Sequence, residues 1–216
     1  MKRNQSGFTL IEIAIVLVII GLLLGGVLKG QELINSARVK NLAGDFKNIP
    51  VYIYGYQDKY KALPGDDSLV VVHVSGVLAI TPAGKQGNGV IDGLWKPTAV
   101  ATDESGLFWQ HIRLAGFGPG STDQNSTDYL PTNAVGGNIG ITNAAQTPIT
   151  GLRGTYIVCS NGIPGKFAKQ LDTTLDNGDT TNGSVMVTTV GVTTATAAVA
   201  TTAVVDDTTY LVCMGY

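Results

Sequence analysis

The chain reads as an α+β protein, one long N-terminal α-helix followed by a β-rich, loop-rich domain. Three observations predict this. An unbroken apolar run of 21 residues extends from Phe8 to Leu28 and carries a single charge, Glu12. The segment behind it turns amphipathic at helical spacing and stops near Leu63, Pro64 and Gly65. The remainder, roughly 150 residues and enough for one domain, alternates short β-prone runs with clusters of Gly, Pro, Asn, Asp and Thr.

At about 1.5 Å of rise per residue, a helix of this length spans a bilayer core of about 30 Å, so residues 8–28 are expected to cross a membrane. An ordinary secretory signal has a shorter apolar stretch and a small-residue cleavage site behind it. Here the stretch is longer and no such site follows, and the junction that stands out lies on the N-terminal side, where Gly7 meets Phe8. A carboxylate within the hydrocarbon layer costs a few kcal/mol or more, and no basic residue in the run can pair with Glu12. Gly21, Gly25, Gly26 and Gly30 each cost about 1 kcal/mol against alanine in a helix, and they allow close helix contact or local unwinding. Lys2 and Arg3 precede the run, but Lys29, Arg38, Lys40 and Lys47 follow it, so charge counting does not set the orientation.

Residues 29–62 continue the helix in amphipathic form. Leu33, Ala37, Leu42, Phe46 and Ile49 recur at spacings of three to five, with Lys29, Glu32, Arg38, Lys40, Asp45 and Lys47 between them. Pro50 removes a backbone donor and crowds the carbonyl of Phe46, so a kink or break is expected there, before a continuation to about Tyr60. Residues 63–216 form the β-rich head. Its β-prone runs are Leu69–Val74, Gly154–Cys159, Gly183–Thr189 and Thr208–Met214. A second helix is expected over Asp103–Ala115, with Glu104 in its first turn, Leu107, Phe108, Ile112 and Leu114 on its apolar face, and Gly116 as its stop. The Thr, Ala and Val stretch over residues 188–209 suits an extended, protruding hairpin whose threonines keep one face wet. Trp95 and Trp109 read as core anchors.

Gly7, Phe8, Thr9, Leu10, Ile11 and Glu12, directly behind a short basic leader, resemble position by position the hallmark of the type IV pilin and type II secretion pseudopilin superfamily. The stretches KYKALPGDDS, GNGVIDG, Phe108 to His111 with the LAGF behind it, and KQLDTTLDNGDTTNGSV look like those of a bacterial pilin-like group with heads of about this size. The resemblance implies that a prepilin peptidase cuts between Gly7 and Phe8, removes residues 1–7 and methylates the new Phe8 amine. It implies that Glu12 pairs with the Phe8 amine of a neighbouring subunit in a helical filament built on an inner-membrane assembly platform. It also implies a single-pass inner-membrane precursor that ends in an extracellular pilus or a periplasmic pseudopilus. Many members have a proline near the end of the apolar segment, where this chain has Lys29 and nearby glycines. The function expected is that of a structural subunit, a pilin or minor pilin. The alternatives are a pseudopilin of a type II secretion system and, from another class, a membrane-anchored binding module that never polymerises.

Cys159 and Cys213 stand in separate β-prone runs. In an exported head the even pair reads as a disulfide, similar to the C-terminal disulfide-bounded loop of many pilins; the alternative is two free buried thiols. Metal binding at the cysteines would need further ligands, and His73 and His111 stand at no ligand spacing from them. No cofactor is expected, with calcium as the one candidate. Asp172, Asp176 and Asp179 offer oxygen ligands around a glycine turn, although not at the spacing of an EF-hand loop. Asn88 and Asp92 form a weaker pair. No nucleophile motif or phosphate-cradling loop appears, so no enzymatic activity is expected. The formal net charge is −2 and cleavage would remove Lys2 and Arg3, so nucleic acid is not an expected partner.

Overall fold

A computed structural model describes residues 9–216; Gly7 and Phe8 lie outside them. The chain divides into two compact units, Met1–Arg38 and Val39–Tyr216. Helix α1, Leu10–Tyr60, runs through both. In the first unit every large apolar residue from Leu10 to Leu28 is exposed, and so are Leu33 and Ile34. The amphipathic pattern anticipated from residue 29 therefore becomes core packing only at Val39. From there Val39, Leu42, Ala43, Phe46, Ile49, Ile53 and Tyr56 form one buried stripe at spacings of one to four residues. Leu33 and Ala37, placed on that face by spacing alone, are exposed.

No break occurs at Pro50, which lies inside α1. Proline cannot donate to the carbonyl four residues back, so the Phe46 carbonyl loses its intrahelical partner. The hydroxyl of Tyr216, at the other end of the chain, donates to that carbonyl at 2.6 Å. A Tyr216→Phe chain leaves a carbonyl beside the core unsatisfied and is expected to lose about 1–2 kcal/mol, read as a lower urea midpoint at unchanged slope. Lys61, at φ 56°, ends the helix in a left-handed cap, and its N–H donates to the Gln57 carbonyl at 2.8 Å.

The second unit continues with α2 (Val70–Val74), α3 (Glu104–Leu114), β1 (Ile139–Asn143), β2 (Tyr156–Pro164), α4 (Gly165–Leu175), β3 (Val185–Thr189) and β4 (Thr209–Gly215). The strands form one antiparallel sheet in the order β1-β2-β4-β3. Successive side chains of a strand point to opposite faces, and both faces of this sheet are covered. Val158, Ile163, Val185, Val187, Tyr210 and Val212 join the stripe of α1, together with Phe108, Ile112, Phe167 and Leu171, in the main core. Ile157, Cys159, Met186, Leu211 and Cys213 meet Trp95, Ile149 and Leu152 in a second core on the other face. Gly140 in β1 is required by that covering layer: a Cβ there would sit 1.7 Å from the Trp95 carbonyl oxygen.

Two further readings are corrected in this unit. Residues Leu69–Val74 are not a strand: Val70–Val74 fold as a single helical turn closed by Ser75 at φ 55°, with the Asp67 carboxylate accepting from the Leu69 N–H at 2.9 Å. That local capping overrides the β preference of the valines. The Thr, Ala and Val stretch does not form a protruding hairpin. After β3 it folds back along the sheet, where Val199 N–H donates to the Val187 carbonyl at 2.8 Å, Thr150 N–H to the Thr196 carbonyl at 2.9 Å, and the Thr188 hydroxyl to the Ala197 carbonyl at 3.0 Å.

Candidate assembly site on the N-terminal helix

Thr9 and Glu12 make a reciprocal cap at the start of α1. The Thr9 N–H donates to Glu12 Oε2 at 2.8 Å and the Thr9 hydroxyl to the same oxygen at 2.7 Å, while the Glu12 N–H reaches the Thr9 hydroxyl oxygen at 3.4 Å. This is the capping box of a threonine followed three residues later by a glutamate. Its signal stands in the sequence as Thr9-Leu10-Ile11-Glu12, although sequence reasoning assigned Glu12 only to intersubunit pairing. Within a single chain, then, the carboxylate is held at the helix N-terminus by its own backbone.

The rest of the segment has no partner within the described residues. An 18-residue window of α1 reaches a mean hydropathy of 2.8 and none of it is buried. A Cβ built on Gly21, Gly25, Gly26 or Gly30 meets nothing within 4 Å. Packing among the described residues therefore gives no reason for their small size. Lys29 and Glu32 pair at 2.7 Å on the exposed surface, an arrangement that adds little stability.

Of the other expected site residues, Cys159 and Cys213 face each other across β2 and β4 with Cα atoms 4.1 Å apart and are joined as a disulfide. The bond thus staples neighbouring strands and lies wholly in the second core. Asp172, Asp176 and Asp179 do not form one loop. Asp172 is fully buried in the last turn of α4. Asp176 is the residue after that helix, and its Oδ2 accepts from the N–H groups of Ser184 and Val185 at 2.7 and 3.2 Å. Asp179 Oδ1 accepts from the N–H and hydroxyl of Thr181. Among the described residues no three His, Cys, Asp or Glu side chains are grouped so as to hold a metal ion. His111 accepts from the Gly65 N–H at Nδ1 and, in the matching tautomer, donates from Nε2 to the Val77 carbonyl; burial holds its pKa down, so it acts as a neutral bracket between loops.

Asp45 of α1 lines a cavity of about 170 Å³ together with Tyr52, Trp109 and Arg113. Burial pushes its carboxyl up to about 6. Between the ordinary carboxylate pKa and that value the folded state holds more protons than the unfolded one, so stability falls as pH rises through this window. Asp45→Asn is expected to flatten that fall and to raise the melting temperature at pH 7, checked by melting both chains from pH 4 to pH 7.

Comparison with known proteins agrees with the N-terminal geometry. The family model of the prokaryotic N-terminal methylation motif, the type IV pilin and pseudopilin signature, matches residues 2–28. The motif and the apolar helix together fit a membrane-anchored precursor. No curated protein and no solved structure matches the chain.

Proposed function

We propose that this chain, carrying the prokaryotic N-terminal methylation motif in residues 2–28, is a structural subunit of a type IV pilus-like filament, a pilin or minor pilin. The observation that carries the proposal is the Gly7 to Glu12 stretch at the start of an apolar helix that has no partner among the described residues. A prepilin peptidase cuts between Gly7 and Phe8 and methylates the Phe8 amine. The new amine is a cation that can be brought to a buried carboxylate, and Glu12 is the only carboxylate in the apolar run. In the filament the helices of residues 8–28 pack against one another, and the pairing of Glu12 with the Phe8 amine of a neighbour sets their register.

Processed subunits leave the inner membrane through the assembly platform. The Val39–Tyr216 unit is cross-linked by its disulfide. Calcium remains a proposed ligand of this unit, and nucleic acid is not proposed as a partner.

Shearing of the native host followed by immunoblotting tests where the filament lies. Recovery of the protein in the sheared surface fraction is the expected result. Retention of the processed chain in the cell envelope would instead assign it to a short periplasmic pseudopilus of a type II secretion system. Absence of any assembly would assign it to a membrane-anchored binding module.

A further inference from the structure

Two Asn-x-Ser/Thr triplets lie in the Val39–Tyr216 unit, Asn125-Ser126-Thr127 and Asn182-Gly183-Ser184. This pattern is the acceptor signal for an N-linked glycan when it stands on the surface of an exported domain. Around Asn182 the segment is committed to the fold. The Asn182 side chain accepts from Asn177 Nδ2 and donates to Asp179 Oδ2, and a Cβ on Gly183 would collide with Asp176 Oδ2. Ser184 is tied to the sheet, its N–H donating to Asp176 Oδ2 at 2.7 Å and its carbonyl accepting from the Gly215 N–H at 2.9 Å. A transferase has to grip the asparagine and the hydroxyl residue at once, and it cannot lift this stretch without opening the ends of β3 and β4.

Asn125 stands differently. Side chains of α3 anchor the chain on either side of it: Gln110 Nε2 donates to the Thr122 carbonyl at 3.1 Å, and Arg113 Nη1 to the Ser121 and Tyr129 carbonyls at 2.7 and 2.6 Å. Between these anchors the chain makes a surface turn in which Asp123, Asn125, Thr127 and Asp128 are exposed. The turn closes on itself, with the Ser126 N–H donating to the Asp123 carbonyl and the Tyr129 N–H to the Ser126 carbonyl, both at 3.1 Å. Lifting it breaks none of the bonds of the sheet. Asp123 Oδ1 accepts from the Asn125 N–H at 3.0 Å and from Asn125 Nδ2 at 3.2 Å. Unlike the buried acids Asp66 and Glu104, which hold the 87–92 loop from within, this carboxylate is exposed and engages the side-chain nitrogen that a glycan would join. An amide nitrogen is a weak nucleophile because its lone pair is delocalised into the carbonyl. A carboxylate that accepts one of its hydrogens leaves more electron density on the nitrogen and fixes its direction.

We propose that Asn125 is the acceptor of an N-linked glycan, with Thr127 as the recognition hydroxyl and Asp123 as a positioning carboxylate. The donor is a lipid-linked glycosyl diphosphate held by a membrane transferase. Asn125 Nδ2 forms a bond to the anomeric carbon, and the bond from that carbon to the diphosphate oxygen breaks. Its electron pair leaves with the diphosphate, and one Nδ2 proton passes to a base of the transferase. The transfer requires the exported head of the reading above, for which the Cys159–Cys213 disulfide speaks independently, but it requires no filament.

Tryptic digestion and mass spectrometry of the protein isolated from the native host provide the test. Cleavage after Arg113 and Arg153 puts Asn125 in the peptide 114–153, whereas Asn182 and the Thr-rich stretch fall in the peptide 170–216. The expected result is a 114–153 peptide heavier by a whole number of sugar residues, with fragmentation placing the increment on Asn125. Asn125→Gln and Thr127→Ala should each abolish the increment and Thr127→Ser should retain it. Asp123→Ala should lower occupancy severalfold and Asp123→Glu restore part of it. All three positions are exposed, so each variant is expected to accumulate with its disulfide intact. An unmodified 114–153 peptide in the wild-type protein, an increment that survives Thr127→Ala, or one confined to 170–216 would each overturn the assignment. The N-terminal peptide of the same digest reports separately whether residues 1–7 have been removed, so failure of the processing reading and failure of the glycan assignment are told apart.

Discussion

A Glu12→Ala chain is expected to accumulate in the membrane at the wild-type level and to yield no fibres. Alanine removes the one charge of the apolar run, so insertion as a single helix becomes no harder. In the proposed filament it removes one partner of the proposed buried ion pair, a loss of about 3–5 kcal/mol per subunit, or roughly a hundredfold to several thousandfold in the assembly equilibrium. Each subunit repeats the loss, so no fibre of useful length survives it. The local cap with Thr9 provides a control. Glu12→Gln keeps an oxygen that can accept from the Thr9 N–H and hydroxyl, but it carries no charge for the Phe8 amine. Fibres lost in both variants place the requirement on the ion pair; fibres restored by glutamine place it on the cap.

The second large effect is expected at the disulfide. Cys159 and Cys213 are 54 residues apart in sequence and fully buried. In the chain-entropy account, closing a loop of that size in the unfolded state stabilises the fold by about 4 kcal/mol. Cys159→Ala combined with Cys213→Ala also takes two sulfurs out of the core around Trp95, Ile149 and Leu152, which adds to the loss. The double variant should melt far below the wild type, and added reductant should then leave its melting temperature unchanged. A difference under about 1 kcal/mol would mean that the unfolded chain is already compact around these strands, or that packing alone holds β2 to β4.

Much of this fold is legible in the chain because its signals are local. The helix from Leu10, the stop near Leu63, the helix behind Asp103 and the strands around Cys159, Val185 and Cys213 each carry their own periodicity or their own flanking turn residues. β1 was missed because Ile139–Asn143 is five residues long with a glycine at its second position, and it is a strand only by pairing with β2. α4 was missed because Asp172 read as a candidate ligand in a glycine turn with Asp176 and Asp179, while Phe167, Ala168 and Leu171 already stand at helical spacing. The valines of α2 misled because a single helical turn needs no propensity when Asp67 and Ser75 close its two ends. At the assembly site the sequence shows Glu12 as a charge without a partner, whereas its cap with Thr9 required the backbone. The buried acids Asp66 and Glu104 were invisible for a further reason: nothing in LPGDDS or TDESG distinguishes a carboxylate on the surface from one under a loop.

Intact-mass and N-terminal analysis of the protein from sheared surface fibres of the native host decides whether the chain is cut at Gly7–Phe8 and polymerised through the helix behind the cut. A single species beginning at methylated Phe8, with the disulfide intact, is the expected result. An uncut chain retaining Met1 to Gly7, in fibres and membranes alike, would overturn the proposal and leave a plain membrane-anchored module.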